Sequence, residues 1–168
     1  SGIATLSTSA LAVGAHPNIT AQYAGDASFN GSTSGAYLHT VNQANSTTAV
    51  TSAPNPSVFG QSVTFTATVA ASAPGAGSPS GTVTFVIDGV NVVQSLSGGL
   101  ATYVTSTLSV GSHSISATYG GDGNFNGSAA GPINHNVNKA NSRVTVGSSQ
   151  NPSPAGQLIT FTARIAAA

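Results

Sequence analysis

The chain has no cysteine, methionine, tryptophan or glutamate, and almost no charge. Only 4% of its 168 residues are charged, three basic against three acidic, so the formal net charge is zero. The acids are Asp26, Asp88 and Asp122, and the bases are Lys139, Arg143 and Arg164. Each absence excludes a class of function. Without cysteine there are no disulfides, iron–sulfur clusters or thiolate zinc sites. Without a basic excess there is no electrostatic footprint for nucleic acid or for an anionic membrane surface. No apolar run approaches the ~20 residues of a membrane-spanning helix, so no membrane insertion is expected.

What is present is small, β-branched and hydroxylated. There are 25 serines and 20 threonines, with 26 alanines, 20 glycines and 13 asparagines. Hydrophobic residues still reach 39%, well above a disordered composition, which has few apolar residues and a high net charge. Such residues suit strands packed face to face.

The sequence repeats itself. Tyr23-Ala-Gly-Asp-Ala-Ser-Phe-Asn-Gly-Ser32 matches Tyr119-Gly-Gly-Asp-Gly-Asn-Phe-Asn-Gly-Ser128 at an offset of 96. The offset persists through His39/His135, Val41/Val137, Ala44-Asn45-Ser46/Ala140-Asn141-Ser142 and Thr64-Phe65-Thr66-Ala67/Thr160-Phe161-Thr162-Ala163. Upstream of Tyr23 the offset is 97, where Leu11-Ala-Val-Gly-Ala-His16 matches Leu108-Ser-Val-Gly-Ser-His113. This period divides the chain into residues 1–43, the C-terminal half of one unit, 44–139, a complete unit, and 140–168, the N-terminal part of a third. Units out of phase with the chain ends lead to an expectation of either a segment of a longer array or a subunit completed by its neighbours' strands. The two partial units together lack the stretch corresponding to residues 73–96.

Within the complete unit, short alternating runs alternate with turn residues. Ser62–Ala71 places Val63, Phe65, Ala67 and Val69 on one face and Thr64, Thr66 and Thr68 on the other. Gly81–Ile87 turns Val83, Phe85 and Ile87 inward. Asp88-Gly89 predicts a hairpin with φ > 0, returning through Val90–Leu96. Further strands are expected at Leu100–Leu108, Ser112–Tyr119, Ile133–Val137 and Thr47–Thr51, the last ended by Pro54 and Pro56. Between Leu100 and Leu108 the pattern leaves open which face is buried. No window has a helical period. About seven strands in a unit of about 96 residues predict an all-β fold of tandem immunoglobulin-like β-sandwiches.

The motifs Val63-Thr-Phe-Thr-Ala-Thr68, Gly81-Thr-Val-Thr-Phe85 with Asp88-Gly89, Ser106–Tyr119, Gly121-Asp122 with Phe125, and Val137-Asn-Lys-Ala140 resemble the bacterial Ig-like repeat domain. The resemblance covers the whole chain. It implies tandem arrays on large exported proteins, and hence an extracellular or cell-surface setting. It implies no activity, since that family is mostly spacer and adhesion modules.

Candidate chemistry is sparse. Asp122-Gly-Asn124-Phe-Asn126-Gly127 resembles the opening of an EF-hand loop, which makes Asp122, Asn124 and Asn126 a calcium candidate. The twelfth position, which needs a bidentate Glu, is Ile133, and the first copy reads Asp26-Ala-Ser28-Phe-Asn30-Gly31. With a single carboxylate available, a turn held by side-chain bonds to backbone N–H groups is favoured over a metal site. The histidines form two repeat pairs, His16/His113 and His39/His135, which suggests a structural role in each unit and leaves too few ligands for zinc. Ser112-His113 lies in a repeated strand with no nucleophile elbow, so no enzyme is expected, and no cofactor. Lys139 among asparagines suggests an isopeptide crosslink, but its counterpart is Gln43. Asn18-Ile-Thr20, Asn30-Gly-Ser32, Asn45-Ser-Thr47 and Asn126-Gly-Ser128 match the glycosylation sequon, but plain turn chemistry is favoured as their explanation. The leading expectation is a structural segment of an extracellular fibre, stalk or sheath, partnered by other copies of itself or by neighbouring repeats. The alternative is an adhesin module that binds glycans or cell-surface proteins through loops carrying aromatics or charges missing from the other copy.

Overall fold

The computed structural model describes residues 2–168. All its regular elements are strands. In the first part of the chain these are β1 (Gly14–Ile19), β2 (Gln22–Gly25), β3 (Asn30–Thr33) and β4 (Tyr37–Val41). The middle holds β5 (Ser46–Ala53), β6 (Ser57–Val58), β7 (Val63–Ala71), β8 (Thr82–Ile87), β9 (Val90–Ser95), β10 (Leu100–Thr105), β11 (Gly111–Tyr119) and β12 (Ser128–Asn138). The last part holds β13 (Ser142–Ser148) and β14 (Phe161–Ala167).

The middle strands form two sheets, one of three strands in the order β10-β7-β5 and one of five in the order β6-β12-β11-β8-β9. Strand alternation turns one face of each sheet inward. Val50, Val63, Phe65, Ala67, Val69 and Ala101 from the smaller sheet meet Val83, Phe85, Ile87, Ile115, Ala117 and Tyr119 from the larger, and Phe125 closes one end. The inward faces expected for β7 and β8 are the buried ones, Thr64, Thr66 and Thr68 lie on the opposite face of β7, and β11 buries Ile115, Ala117 and Tyr119. At Asp88-Gly89 the φ angles are 50° and 85°, the left-handed pair that a two-residue hairpin requires.

The open question between Leu100 and Leu108 is settled. Ala101 is buried and Tyr103 half-buried, whereas Leu100, Thr102 and Val104 face out. This strand stops at Thr105, three residues earlier than expected, where its hydroxyl accepts the N–H of Thr107 and starts a turn. The strand expected at Ile133–Val137 begins five residues earlier, at Ser128. Gly131 and Pro132 read as strand breakers, but the ladder absorbs them as a bulge. Ile115 pairs with Ile133 and Ala117 with Ala130, so both residues sit opposite Ser116 alone. The two-residue β6 is too short to show a period in sequence. It lies parallel to β12, with Ser57 opposite Val137, and so carries the chain from the smaller sheet to the larger.

The flanking segments form two-stranded pairs, β1 with β4, β2 with β3, and β13 with β14. Their apolar side chains are open to solvent.

Candidate functional site

Three groups of side chains contain the chemistry-bearing residues of the middle unit. The first is the loop at Asp122. Its Oδ1 accepts the N–H groups of Asn124 and Phe125, each at 2.8 Å. Its Oδ2 accepts the N–H of Ser80 at 2.8 Å and the Ser80 hydroxyl at 2.7 Å. These donors, led by the Ser80 hydroxyl, hold the carboxyl well below the usual carboxylate range. Asp26 builds the same turn in the first copy, accepting the N–H groups of Ser28 and Phe29. The Asn126 amide donates to Oδ1 of Asn45 at 2.9 Å rather than joining Asp122. The calcium candidates Asp122, Asn124 and Asn126 therefore share a loop, with both Asp122 oxygens already engaged by protein donors. Among the described residues no three His or Asp side chains converge.

The loop also anchors the start of the unit. Ala44 N–H donates to the Asn124 carbonyl, Asn126 N–H to the Ala44 carbonyl, and the Gln43 amide to the Asp122 carbonyl. Where Tyr23 donates to Oδ2 of Asp26 at 2.6 Å, the corresponding Oδ2 of Asp122 is taken by Ser80. The Tyr119 hydroxyl is consequently enclosed without a partner. Burial pushes its pKa upward.

The second group is the histidine pair. His113 and His135 face each other across β11 and β12, as His16 and His39 do across β1 and β4. His113 Nδ1 lies 2.6 Å from Oδ2 of Asp88, and Nε2 lies 2.8 Å from the Ser109 carbonyl oxygen. Both neighbours only accept, so the geometry favours the ring protonated on both nitrogens. The Asp88 carboxylate, then the Ser109 carbonyl, raises the pKa of His113. In turn His113, then the Ser114 N–H, lowers that of Asp88. His16 repeats the carbonyl contact, with Nε2 2.8 Å from the Ala12 carbonyl oxygen.

His135 is fully buried and stands edge-on to Phe65, with ring centroids 5.8 Å apart. Its nitrogens meet the hydroxyls of Ser57 at 2.9 Å and Ser52 at 3.3 Å. Burial, then the charge on His113, lowers its pKa. The surroundings of one histidine thus favour its charged form at the sheet end, and burial favours the neutral form of the other in the core. Ser112, Lys139 and Asn18 lie exposed and join neither group.

The third group is a cleft of about 350 Å³ between the free edges of β9 and β10, with the Asp88–His113 pair at one end. Tyr103 and Leu108 line it together with Val90 and Val92. The sequence reading singled out no residue on β9 or β10. The available signal was the difference between copies, since Tyr103 corresponds to Leu6 at the 97-residue offset.

The comparison with curated proteins finds no match. A solved structure of fibronectin(III)-like modules from Clostridium thermocellum CbhA is 20% identical, covering 77% of this chain and 65% of that one, with a TM-score of 0.42. A family model described as bacterial Ig-like domain (group 3) matches residues 50–138, more than half of the chain. That span contains every buried apolar residue of the sandwich, from Val50 to Val137. The chain belongs to the bacterial Ig-like domain family, group 3.

Proposed function

We propose that this chain is a non-catalytic structural segment of an extracellular fibre, stalk or sheath, in which Ig-like units follow one another in a linear array. One observation carries the reading. Side chains that match at the repeat offset are buried in the middle unit and open in the flanks. Phe65 is 0% exposed and Phe161 72%, Tyr119 is 1% exposed and Tyr23 46%, and Phe125 is 4% exposed and Phe29 70%. The flanks thus carry the core pattern of a sandwich without its opposing layer. Burying an aromatic side chain of this kind contributes roughly 1.5–3 kcal/mol, so the uncovered faces favour a second layer. That layer is the remainder of the same unit, supplied by continuing chain or by strands of a neighbouring copy. The uncharged Ser/Thr-rich surface supports the same reading, because it repels adjacent copies weakly.

Electron cryo-microscopy of the native material tests this. Density running covalently into further beads of about 96 residues supports a tandem stalk. Terminal strands seated in adjacent copies support assembly by strand complementation. Isolated particles with neither feature overturn the array. A second reading, adhesion, is favoured by one observation, the replacement of Leu6 by Tyr103 at matched positions.

A further inference from the structure

We propose that the cleft between β9 and β10 binds a neutral saccharide. The inference deepens the adhesive reading and does not depend on the array. β9 pairs with β8 and β10 with β7, and the two strands form no ladder with each other. At about 350 Å³ the opening lies at the small end of the ~300–1,000 Å³ range of ligand pockets. Its apolar lining includes half-buried Val92, Tyr103 and Leu108. Its polar lining residues are Asp88, His113, Ser109, Thr105 and Thr107, the last two with their hydroxyls 3.1 Å apart.

The charge pattern selects the ligand. Asp88 takes one bond from His113 Nδ1 and one from the Ser114 N–H, yet its side chain remains 46% exposed. Each carboxylate oxygen therefore keeps accepting capacity. When protonated, the neighbouring His113 ring compensates the carboxylate charge, and the site then attracts neither cations nor anions strongly. Hydroxyl donors on an uncharged ligand meet the free lone pairs at no ionic cost. The apolar C–H face of a sugar ring meets Tyr103 and Leu108. A ligand with vicinal hydroxyls on one side and C–H groups on the other fits both walls.

The copies support a specific origin for this site. Ala4-Thr-Leu-Ser-Thr-Ser-Ala-Leu11 matches Ala101-Thr-Tyr-Val-Thr-Ser-Thr-Leu108, with differences at three positions. Two of the three, Tyr103 in place of Leu6 and Thr107 in place of Ala10, line the cleft. The differences therefore add an aromatic ring and a hydroxyl at the cleft and leave the strand pattern intact.

The test is a titration of the full chain with cellotriose, maltotriose and N,N′,N″-triacetylchitotriose, followed by backbone and side-chain NMR. Binding of at least one sugar is expected with a dissociation constant on the order of a millimolar. Shifts should concentrate at Asp88, Val90, Val92, Tyr103, Thr107 and Leu108. Tyr103→Leu with Thr107→Ala, which restores the side chains of the first copy, should weaken binding at least five-fold with little change in melting temperature. Asp88→Asn should weaken it as well. No shifts with any of the three sugars at 20-fold this concentration overturns the proposal. Equal binding by the double variant also overturns it. So does a response only to a peptide of residues 160–167, which would make the open edges a strand-docking site.

Discussion

At the scale of single residues, the two middle-unit histidines set opposite pH dependences. The pKa of His113 is raised in the folded state by Asp88 and the Ser109 carbonyl. Its stabilising contribution is therefore complete below the ordinary histidine value of about 6.5 and is lost as pH rises through the raised value. The pKa of His135 is lowered by burial. Its contribution is complete above about 6.5 and is lost as pH falls through the depressed value. The fold should be most stable near neutrality, with a further loss in stronger acid as Asp88, whose pKa is lowered, takes up a proton. Melting temperatures across pH 4–9 check this. His113→Asn should remove the decline on the alkaline side and keep the decline below about pH 6.5. A wild-type profile flat from pH 6.5 to 9 would contradict the imidazolium assignment. The repetition of the histidines was visible in the sequence, and so was their structural role. The opposite shifts of their pKa values were not, because they depend on Asp88 from a turn and on burial beside Ser57 of β6, which come together only in space.

At the scale of elements, alternation made β7, β8 and β11 legible, because each buries one face and shows hydroxyls on the other. Legibility failed where local signals ran against the ladder. Gly131-Pro132 reads as a break, yet β12 runs through it as a bulge. Gly131 has φ 93°, and a Cβ there would stand 2.8 Å from the Ile115 carbonyl oxygen and 3.0 Å from the Ser116 Cα. Both contacts are with the backbone of β11, which cannot turn aside as a side chain can. Gly131→Ala should therefore destabilise the unit by about 2–3 kcal/mol, measured by chemical denaturation of the full chain. Gly123→Ala is the control, since it has open space around it and an ordinary φ, and it should change stability by no more than about 0.5 kcal/mol. The Tyr103 cleft was hidden for a different reason. A half-buried aromatic in a strand reads as core until the neighbouring sheet edge proves to be open.

At the scale of the whole molecule, the first and last strand runs of the middle unit lie side by side and point the same way. Ala44 bridges Phe125 in parallel, and β6 pairs with β12 in parallel. Between those points a polar seam joins the two runs. Ser46 and Thr48 bond the Ser128 hydroxyl, Ser52 and Ser57 bond His135, and Asn55 bonds the backbone at Asn134 and Asn136. Tension applied at Ala44 and Asn138 pulls these parallel runs past each other, so the seam is loaded along its length and cannot open one bond at a time. The flanking pairs have no second layer and no such seam. Pulling the full chain by its two ends in a force microscope should therefore give one discrete high-force event. The accompanying extension should be roughly 300 Å, set by about 95 residues at ~3.3–3.6 Å each less the folded length. Ser57→Ala removes one hydroxyl partner of buried His135 and should lower the peak force without changing that extension. An extension nearer 500 Å would mean that the flanks yield together with the middle unit, and a featureless trace would mean that the seam bears no load. Either result would remove the mechanical basis for the stalk.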